Sequence, residues 1–513
     1  MEKRYFPIQR ILSWHYDINN VKKYKQCLKN NPKTGKSLKI TLNDVRRLDV
    51  SKVLKKVKLV QKLDLMETQL DKTKLIQLLK NQSRVKEISF PTLYINHLWL
   101  KYLKSLRGLT YITFLSKLSL FSQRNYQRKL THLIKRHKLN SLHVALKECC
   151  NCEAKSTLVI EKYPSTLKNL AIDIMSFSSL ESSYQEKSLY QAKLCNFGYL
   201  KNLTNLSLSL GGGNILWEKC LKSICCVDQL ENLELQIGGY VRRVPNIYFS
   251  ERLLKLKSFS LKLNSLPRGI ERLLFDVSKL PLKTFSLDLL NMNKSDFHYF
   301  TLGDCFNNFS CLENLTLKFI VDLDFGGSFD FFNRIQTQMS RFNFKKLSLY
   351  ILLKLSSKSI LPSLSGREIL KGSTSLEELS IKSAYVNWNH LEILSTCAKF
   401  RGTIRKLELS DSEHECRCYT FGKEGTYKVF NLACKTIRTF SKIEVLKLPY
   451  FDIDEEIAFE MIIYCVTKLT HLKKIQLGKI SPDILKENFE KFKKFPKIEF
   501  EFIDTKRMSR IFS

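Results

Sequence analysis

Cys149, Cys150 and Cys152 form a CxxC, and His414, Cys416 and Cys418 lie in one short run. Thiolate and imidazole are zinc ligands, but a structural zinc site takes four of them in tetrahedral array, usually as two such pairs. Neither cluster has a second pair within about 20 residues, and no thioredoxin-like helix follows Cys149 to give its CxxC a redox role. Pro32-Lys33-Thr34-Gly35-Lys36-Ser37 ends like a phosphate-binding loop. However, Asn30 stands where the first glycine belongs, and Leu38 to Leu42 alternates like a strand where that motif requires a helix. No G-x-S-x-G or H-E-x-x-H occurs. These spacings point to a chain that is not an enzyme and that uses neither metal nor cofactor.

The charge is a different kind of chemistry. The 513 residues carry 85 Lys and Arg against 49 Asp and Glu, a net +36. Residues 1–150 hold 33 basic and 9 acidic side chains, and residues 151–513 hold 52 and 40, so two thirds of the excess lies in the first third. It is dense at Lys22, Lys23, Lys25 and Lys29, at Lys52, Lys55, Lys56 and Lys58, and at Arg124, Arg128, Lys129, Lys135, Arg136 and Lys138. Such a field concentrates polyanions, so Lys22, Lys23, Lys25, Arg128, Lys129, Lys135, Arg136 and Lys138 are candidate contacts to RNA or to an acidic partner. The alternative is compositional bias: Lys, Asn, Ile, Phe and Ser are abundant throughout, and solvated lysines cost nothing.

Forty-four per cent of the chain is apolar and only 18 residues are Gly and 11 Pro, the composition of a folded protein. No run of about 18 apolar residues could span a membrane, and Met1 to Trp14 lacks the apolar stretch of a signal peptide. Fifteen cysteines are spread from Cys27 to Cys465 rather than clustered, which fits small buried thiols in a reducing compartment, the cytoplasm or alternatively the nucleus.

The positioning elements emerge from periodicity. An apolar-x-x-apolar-x-apolar hexad recurs near 60, 85, 109, 139, 167, 203, 230, 256, 282, 312, 344, 376, 404, 443, 472 and 495. Clear copies are Leu203-Thr-Asn-Leu206-Ser-Leu208, Leu230-Glu-Asn-Leu233-Glu-Leu235 and Leu312-Glu-Asn-Leu315-Thr-Leu317. Between hexads lie stretches of helical spacing, such as Ile215 to Cys225, Gly269 to Leu280, Glu455 to Leu469 and Asp483 to Phe492. A strand and a returning helix cannot bury an apolar face alone, so neighbours must stack.

Over about residues 35 to 502 the chain resembles the leucine-rich repeat family. Leu256 to Leu266 follows LxxLxLxxNxL, with Phe259 for the second leucine and Asn264 at the asparagine position, whereas Thr68, Leu93, Gly211, Gly238 or Ala384 replaces that asparagine elsewhere. The repeat length looks like the long intracellular subtype found in ribonuclease inhibitor and in receptor arms of ubiquitin ligases. The resemblance implies an α/β solenoid, a curved horseshoe of about sixteen repeats, with a parallel sheet on the concave face and helices on the convex face. It also implies partner binding through third, fifth and seventh repeat positions. Here these are Asn205, Ser207, Asn232, Glu234, Ser260, Lys262, Ser286, Asp288, Thr316, Lys318, Ser348, Tyr350, Ser380 and Lys382. They form a polar wall that could meet an extended protein or be plain solvated strand surface.

The expected organisation is a basic helical cap over 1–34, the solenoid over 35–502 with insertions near 177–191 and 410–427, and a basic tail over 503–513. Glu2, Asp17 and the scarcity of serine separate residues 5–29 from a mitochondrial presequence. The strand Ile498 to Phe502 would leave an open edge for a partner or a second copy. The expected function is a protein-binding scaffold. The alternatives are a nucleic-acid or ribonucleoprotein binder using the basic first third, and a ubiquitin-ligase-like adaptor, for which no leucine-proline-acidic F-box opening is present.

Overall fold

The computed structural model describes residues 40–41, 62–64, 85–94, 100, 103–104, 106, 108–117, 123–147, 165–175, 197–210, 214–237, 243–264, 266–292, 305–323, 330–355, 363–384, 387–388, 390–411, 424–448, 456–478, 491 and 495–502. The chain divides into two compact units, Met1–Leu256 and Lys257–Ser513. The cap at 1–34, the insertion at 177–191, the tail at 503–513 and the Cys149 and His414 clusters fall outside the described residues.

The first unit holds eight strands: β1 (Ile40–Thr41), β2 (Lys62–Asp64), β3 (Glu87–Tyr94), β4 (Tyr111–Lys117), β5 (Ser141–Lys147), β6 (Asn169–Met175), β7 (Asn205–Leu210) and β8 (Asn232–Ile237). Each pairs in parallel with the next in chain order. Helix α1 (Arg124–His137) returns the chain from β4 to β5, and α2 (Asn214–Ile224) from β7 to β8.

In the second unit, β9 (Ser258–Leu263), β10 (Thr284–Met292), β11 (Asn314–Leu323) and β12 (Lys346–Leu355) are followed by the short β13 (Ser363–Leu364), then β14 (Glu378–Ala384) and the short β15 (Asn387–Trp388). The remaining strands are β16 (Lys406–Asp411), β17 (Val445–Leu448), β18 (Lys474–Leu477) and β19 (Glu499–Phe502). β13 and β15 pair only with each other, while the other nine form a parallel series in chain order. Between them run α3 (Ile270–Ser278), α4 (Asp330–Met339), α5 (Gly366–Ile369), α6 (His390–Cys397), α7 (Glu424–Ile437) and α8 (Glu456–Lys468). Each unit is therefore a leucine-rich-repeat-like stack of parallel strands with helices returning between them. Among the described residues no helix is long and apolar enough to cross a membrane.

Strand alternation sorts each hexad into two faces. First, fourth and sixth residues are buried, as in Leu203, Leu206 and Leu208 or Leu256, Phe259 and Leu261, while most third and fifth residues are left at least partly accessible, Thr113 and Glu408 being buried exceptions. One backbone motif sets the register. In most of the described repeats the carbonyl of the second residue accepts two N–H groups from the second and third residues of the following hexad. Lys86 O takes Thr110 N and Tyr111 N at 2.8 and 3.0 Å, and Lys257 O takes Lys283 N and Thr284 N at 2.8 and 3.0 Å. The same sharing recurs at Thr110, Asn140, Lys168, Thr204, Lys283, Glu313, Lys345, Glu377, Arg405 and Glu444. These repeats close with a bond geometry that any non-proline residue can supply, which is why the second position tolerates Lys, Thr, Asn, Glu and Arg.

In the second unit, phenylalanines join successive repeats. Ring centroids of Phe259 and Phe285 lie 6.3 Å apart, Phe285 and Phe309 5.0 Å, Phe309 and Phe306 5.7 Å, Phe306 and Phe342 6.0 Å, and Phe342 and Phe344 5.5 Å.

Two boundaries differ from the sequence expectation. The last strand pairs Ile475 with Phe500 and Leu477 with Phe502, two residues further along than a hexad starting at Phe495 would place it. The slip preserves the faces because it is even, and Lys473 O bonds Glu499 N accordingly. The insertion expected at 410–427 is shorter at both ends: Ser410 and Asp411 extend β16 by pairing with Lys382 and Ser383, and Glu424 begins α7.

Gly372 shows how closely one repeat approaches the next. A Cβ there would strike the carbonyl oxygens of Ser340 and Phe342, the second at 2.9 Å, where Ser373 is buried and its Oγ accepts from Phe344 N at 3.3 Å. Because the obstruction is backbone rather than a flexible side chain, Gly372→Ala is expected to lower the unfolding free energy by about 1–3 kcal/mol. Chemical denaturation against the wild type measures it.

Candidate binding face

The register aligns the third, fifth and seventh residues of successive hexads into columns on the face opposite the buried side chains. In the second unit the fifth-position column reads Ser260, Ser286, Thr316, Ser348, Ser380. At about 4.8 Å per strand these five hydroxyls span about 19 Å. The seventh-position column beside it reads Lys262, Asp288, Lys318, Tyr350, Lys382. Lys318 Nζ lies 3.5 Å from Asp288 Oδ2 and 5.3 Å from the centroid of the Tyr350 ring, so one ammonium ties a carboxylate to an aromatic face. Burial, with Asp288 nearby, holds the Tyr350 hydroxyl above its ordinary value despite Lys382, so it is a neutral donor at neutral pH.

β11 and β12 run ten residues each, longer than the hexad. Their extension puts Ile320 opposite Leu352, and both are partly exposed on this same face beside Tyr350. A sequence reading that stops at the seventh position misses this apolar pair; the signal was the apolar run that continues past the hexad in Phe319 to Val321 and Ile351 to Leu353.

Reading the fifth positions past Ser380 also finds Glu408, which is 5% exposed. Its carboxylate meets Lys382 Nζ at 2.9 Å, Lys447 Nζ at 3.3 Å and Lys406 Nζ at 3.7 Å, and accepts from Ser380 Oγ at 3.3 Å. Burial pushes its pKa up, but the hydrogen bond from Lys382 and the charges of all three lysines outweigh it and hold the carboxyl below its ordinary range. Three ammonium groups around one carboxylate leave this end of the face positive.

The candidates in the first unit form a separate group. Asn232 donates from Nδ2 to Asn205 Oδ1, and Asn205 likewise to Asn169 Oδ1, making an amide ladder along the third column. Ser207 Oγ donates to Glu234 at 2.9 Å in the fifth column. The third, fifth and seventh positions of β3 to β8 hold no Lys or Arg. Their aligned histidine, His143, is shifted down chiefly by burial against the opposing pull of Asp173, so it is neutral at neutral pH. The basic candidates lie elsewhere: Arg128, Lys129, Lys135, Arg136 and Lys138 are on α1 and its C-terminal cap, and Lys22, Lys23 and Lys25 fall outside the described residues.

Among the described residues no three His, Cys, Asp or Glu side chains gather as a metal site. Cys220, Cys305, Cys397, Cys434 and Cys465 are buried free thiols. Burial pushes Cys397 up to about 12, which leaves it protonated and unreactive, and the Cys465 thiol lies 3.4 Å from the Cys434 carbonyl.

The Glu408 cluster gives a pH-dependent expectation. Because the folded carboxyl titrates below the ordinary value of 4.5, its stabilisation is complete above that pH and is lost as pH falls through the lower folded value. Glu408→Gln should cost about 1–3 kcal/mol at pH 7, and the Tm difference from wild type should shrink as pH drops below 4.5. Thermal melts of both proteins between neutral and acid pH read this directly.

No known family profile matches the chain, and no curated protein does. Solved structures do. A leucine-rich-repeat protein of Leptospira interrogans is 17% identical, with 93% of this chain and 98% of that one covered, at a TM-score of 0.35. A chain of the mouse RP105/MD-1 complex is 13% identical over 86% of this chain and 83% of that one, at 0.31. A chain of the Drosophila Toll–Spatzle complex is 12% identical over 85% of this chain and 60% of that one, at 0.32.

Proposed function

We propose that this chain is a non-enzymatic scaffold that binds another protein along the strand face of its second unit, the face that the repeat resemblance makes concave. The observation that carries the reading is the juxtaposition of Tyr350 with Ile320 and Leu352, beside the row Ser260, Ser286, Thr316, Ser348 and Ser380. Protein interfaces take their energy from a few aromatic and apolar anchors surrounded by polar groups. Here a tyrosine and two aliphatic side chains supply the anchor, and the hydroxyl row offers hydrogen bonds to an extended backbone. Lys262, Asp288, Lys318 and Lys382 provide charges of both signs, which suit a partner segment carrying both.

The same reading takes the repeats as the long intracellular subtype, about sixteen in number, acting in the cytoplasm or the nucleus. Asn205, Ser207, Asn232 and Glu234 would serve as a second contact strip. Their hydrogen bonds to one another make them stiff and weakly anchoring.

The test is affinity capture of the intact chain from its own cells, after nuclease treatment, at about 0.1 M and about 0.5 M salt. Proteins retained at the higher salt should be lost with Ser260→Arg, Ser286→Arg and Ser348→Arg combined, and separately weakened at least tenfold by Tyr350→Ala. Capture undiminished by both variants would remove this face from the function.

A further inference from the structure

We infer that the outward face of α1 binds the phosphate backbone of a nucleic-acid duplex, on the opposite side of the first unit's sheet from its strand-borne polar columns. This stands independently of the protein-binding reading. Over Arg124 to Lys138 the helix and its cap contain no Asp or Glu. Tyr126, Gln127, Leu130, Leu133 and Ile134 are buried, which fixes the inward stripe. The other half of the circumference carries Arg124, Arg128, Lys129, Lys135 and Arg136, with Lys138 following. Arg124, Arg128 and Lys135 follow one side of the helix over about 16 Å along its axis, so the cations form a line rather than a spot.

Helix stability does not account for this row. Basic side chains in the last turn, Lys135 and Arg136, favour the negative end of the helix dipole, but Arg124 and Arg128 oppose the positive end. The first turn has no acidic residue, and Gln123 makes no side-chain cap. None of the six cations forms an ion pair among the described residues. Lys138 adds a second, independent sign. It is the one non-glycine residue at positive φ among the described residues, at φ 51° and ψ 46°, a left-handed cap where glycine is the unstrained choice. A lysine in this conformation carries a backbone cost that glycine would not.

The chemistry selects the occupant. A helix that lies in a membrane surface must offer its apolar stripe to lipid, and the stripe of α1 is in the protein core. Single strands are held by stacking bases on exposed aromatics, and the helix's one aromatic ring, Tyr126, is fully buried. Protein hot spots draw on Trp and Tyr as well as Arg, and this row has arginines but no exposed Trp or Tyr beside them. Regularly spaced cations without anchors suit contacts that position a duplex through its phosphates without reading its sequence. The third, fifth and seventh positions of β3 to β8 hold no Lys or Arg, so nothing like this row is repeated in those columns.

Binding of the full chain to a fluorescent 20-base-pair duplex of arbitrary sequence, followed by anisotropy across about 0.05 to 0.3 M salt, tests this. A steep fall with salt is expected, with a log–log slope of roughly −4 to −5 if four to six phosphates are met. Arg128→Glu, Lys129→Glu, Lys135→Glu and Arg136→Glu together should weaken binding at least 100-fold at the lower salt. Lys138→Gly, which relaxes the cap, should raise Tm and still reduce the slope by about one. Unchanged duplex affinity in the fourfold variant, or an unchanged slope in Lys138→Gly, overturns the proposal. So does stronger binding of the wild type to phosphatidylserine vesicles or to a poly-glutamate peptide than to the duplex.

Discussion

One carbonyl oxygen per repeat, shared between two N–H groups of the next strand, is the constraint from which the surface of this protein follows. It belongs to the backbone, so it repeats whatever the side chain, and it fixes each strand's register against its neighbour without reference to the face being built. Once the register is constant, residues separated by some thirty positions in sequence become adjacent in space, and the columns at third, fifth and seventh positions exist as columns. A displacement of one residue at any strand would exchange the buried and accessible sets. That exchange would bury the lysines and hydroxyls of one repeat, so the apolar fourth and sixth residues enforce what the shared carbonyl aligns.

The hexads made the strands legible because the buried positions are nearly always Leu, Ile, Val or Phe, and three constrained positions in six leave a period that survives irregular spacing. Helices at 214–224, 270–278 and 456–468 were equally legible from apolar recurrence at three and four. Strand length was not. Ile320 and Leu352 belong to strands that outrun the repeat consensus, and a pattern defined by six residues contains nothing that marks where pairing stops. Glu408 was hidden for another reason. A carboxylate at an accessible position looks solvated in sequence; its burial depends on Lys382, Lys406 and Lys447 converging from three adjacent strands, which only the register reveals.

The two charge systems differ in kind. Around Glu408, cations surround an acid that holds them in place, so the group is structural and its positive excess local. Along α1 the cations have no ion-pair partner among the described residues, and the third, fifth and seventh positions of β3 to β8 carry none. Composition alone, which counts both as lysine and arginine, cannot separate a clamp from an open row.

The line of phenylalanine rings from Phe259 to Phe344 has a consequence for how the second unit comes apart. Stacked repeats whose contacts reach only their neighbours open one at a time. Rings that touch across four successive repeats lengthen that grain: none of the four can separate without exposing an aromatic of a neighbour. The segment from β9 to β12 should therefore protect its amides as a single cooperative block in hydrogen exchange, and it contains the hydroxyl row and the tyrosine anchor. The proposed binding surface thus sits on a part of the unit that resists fluctuation, a rigid template on which a partner would do the adapting.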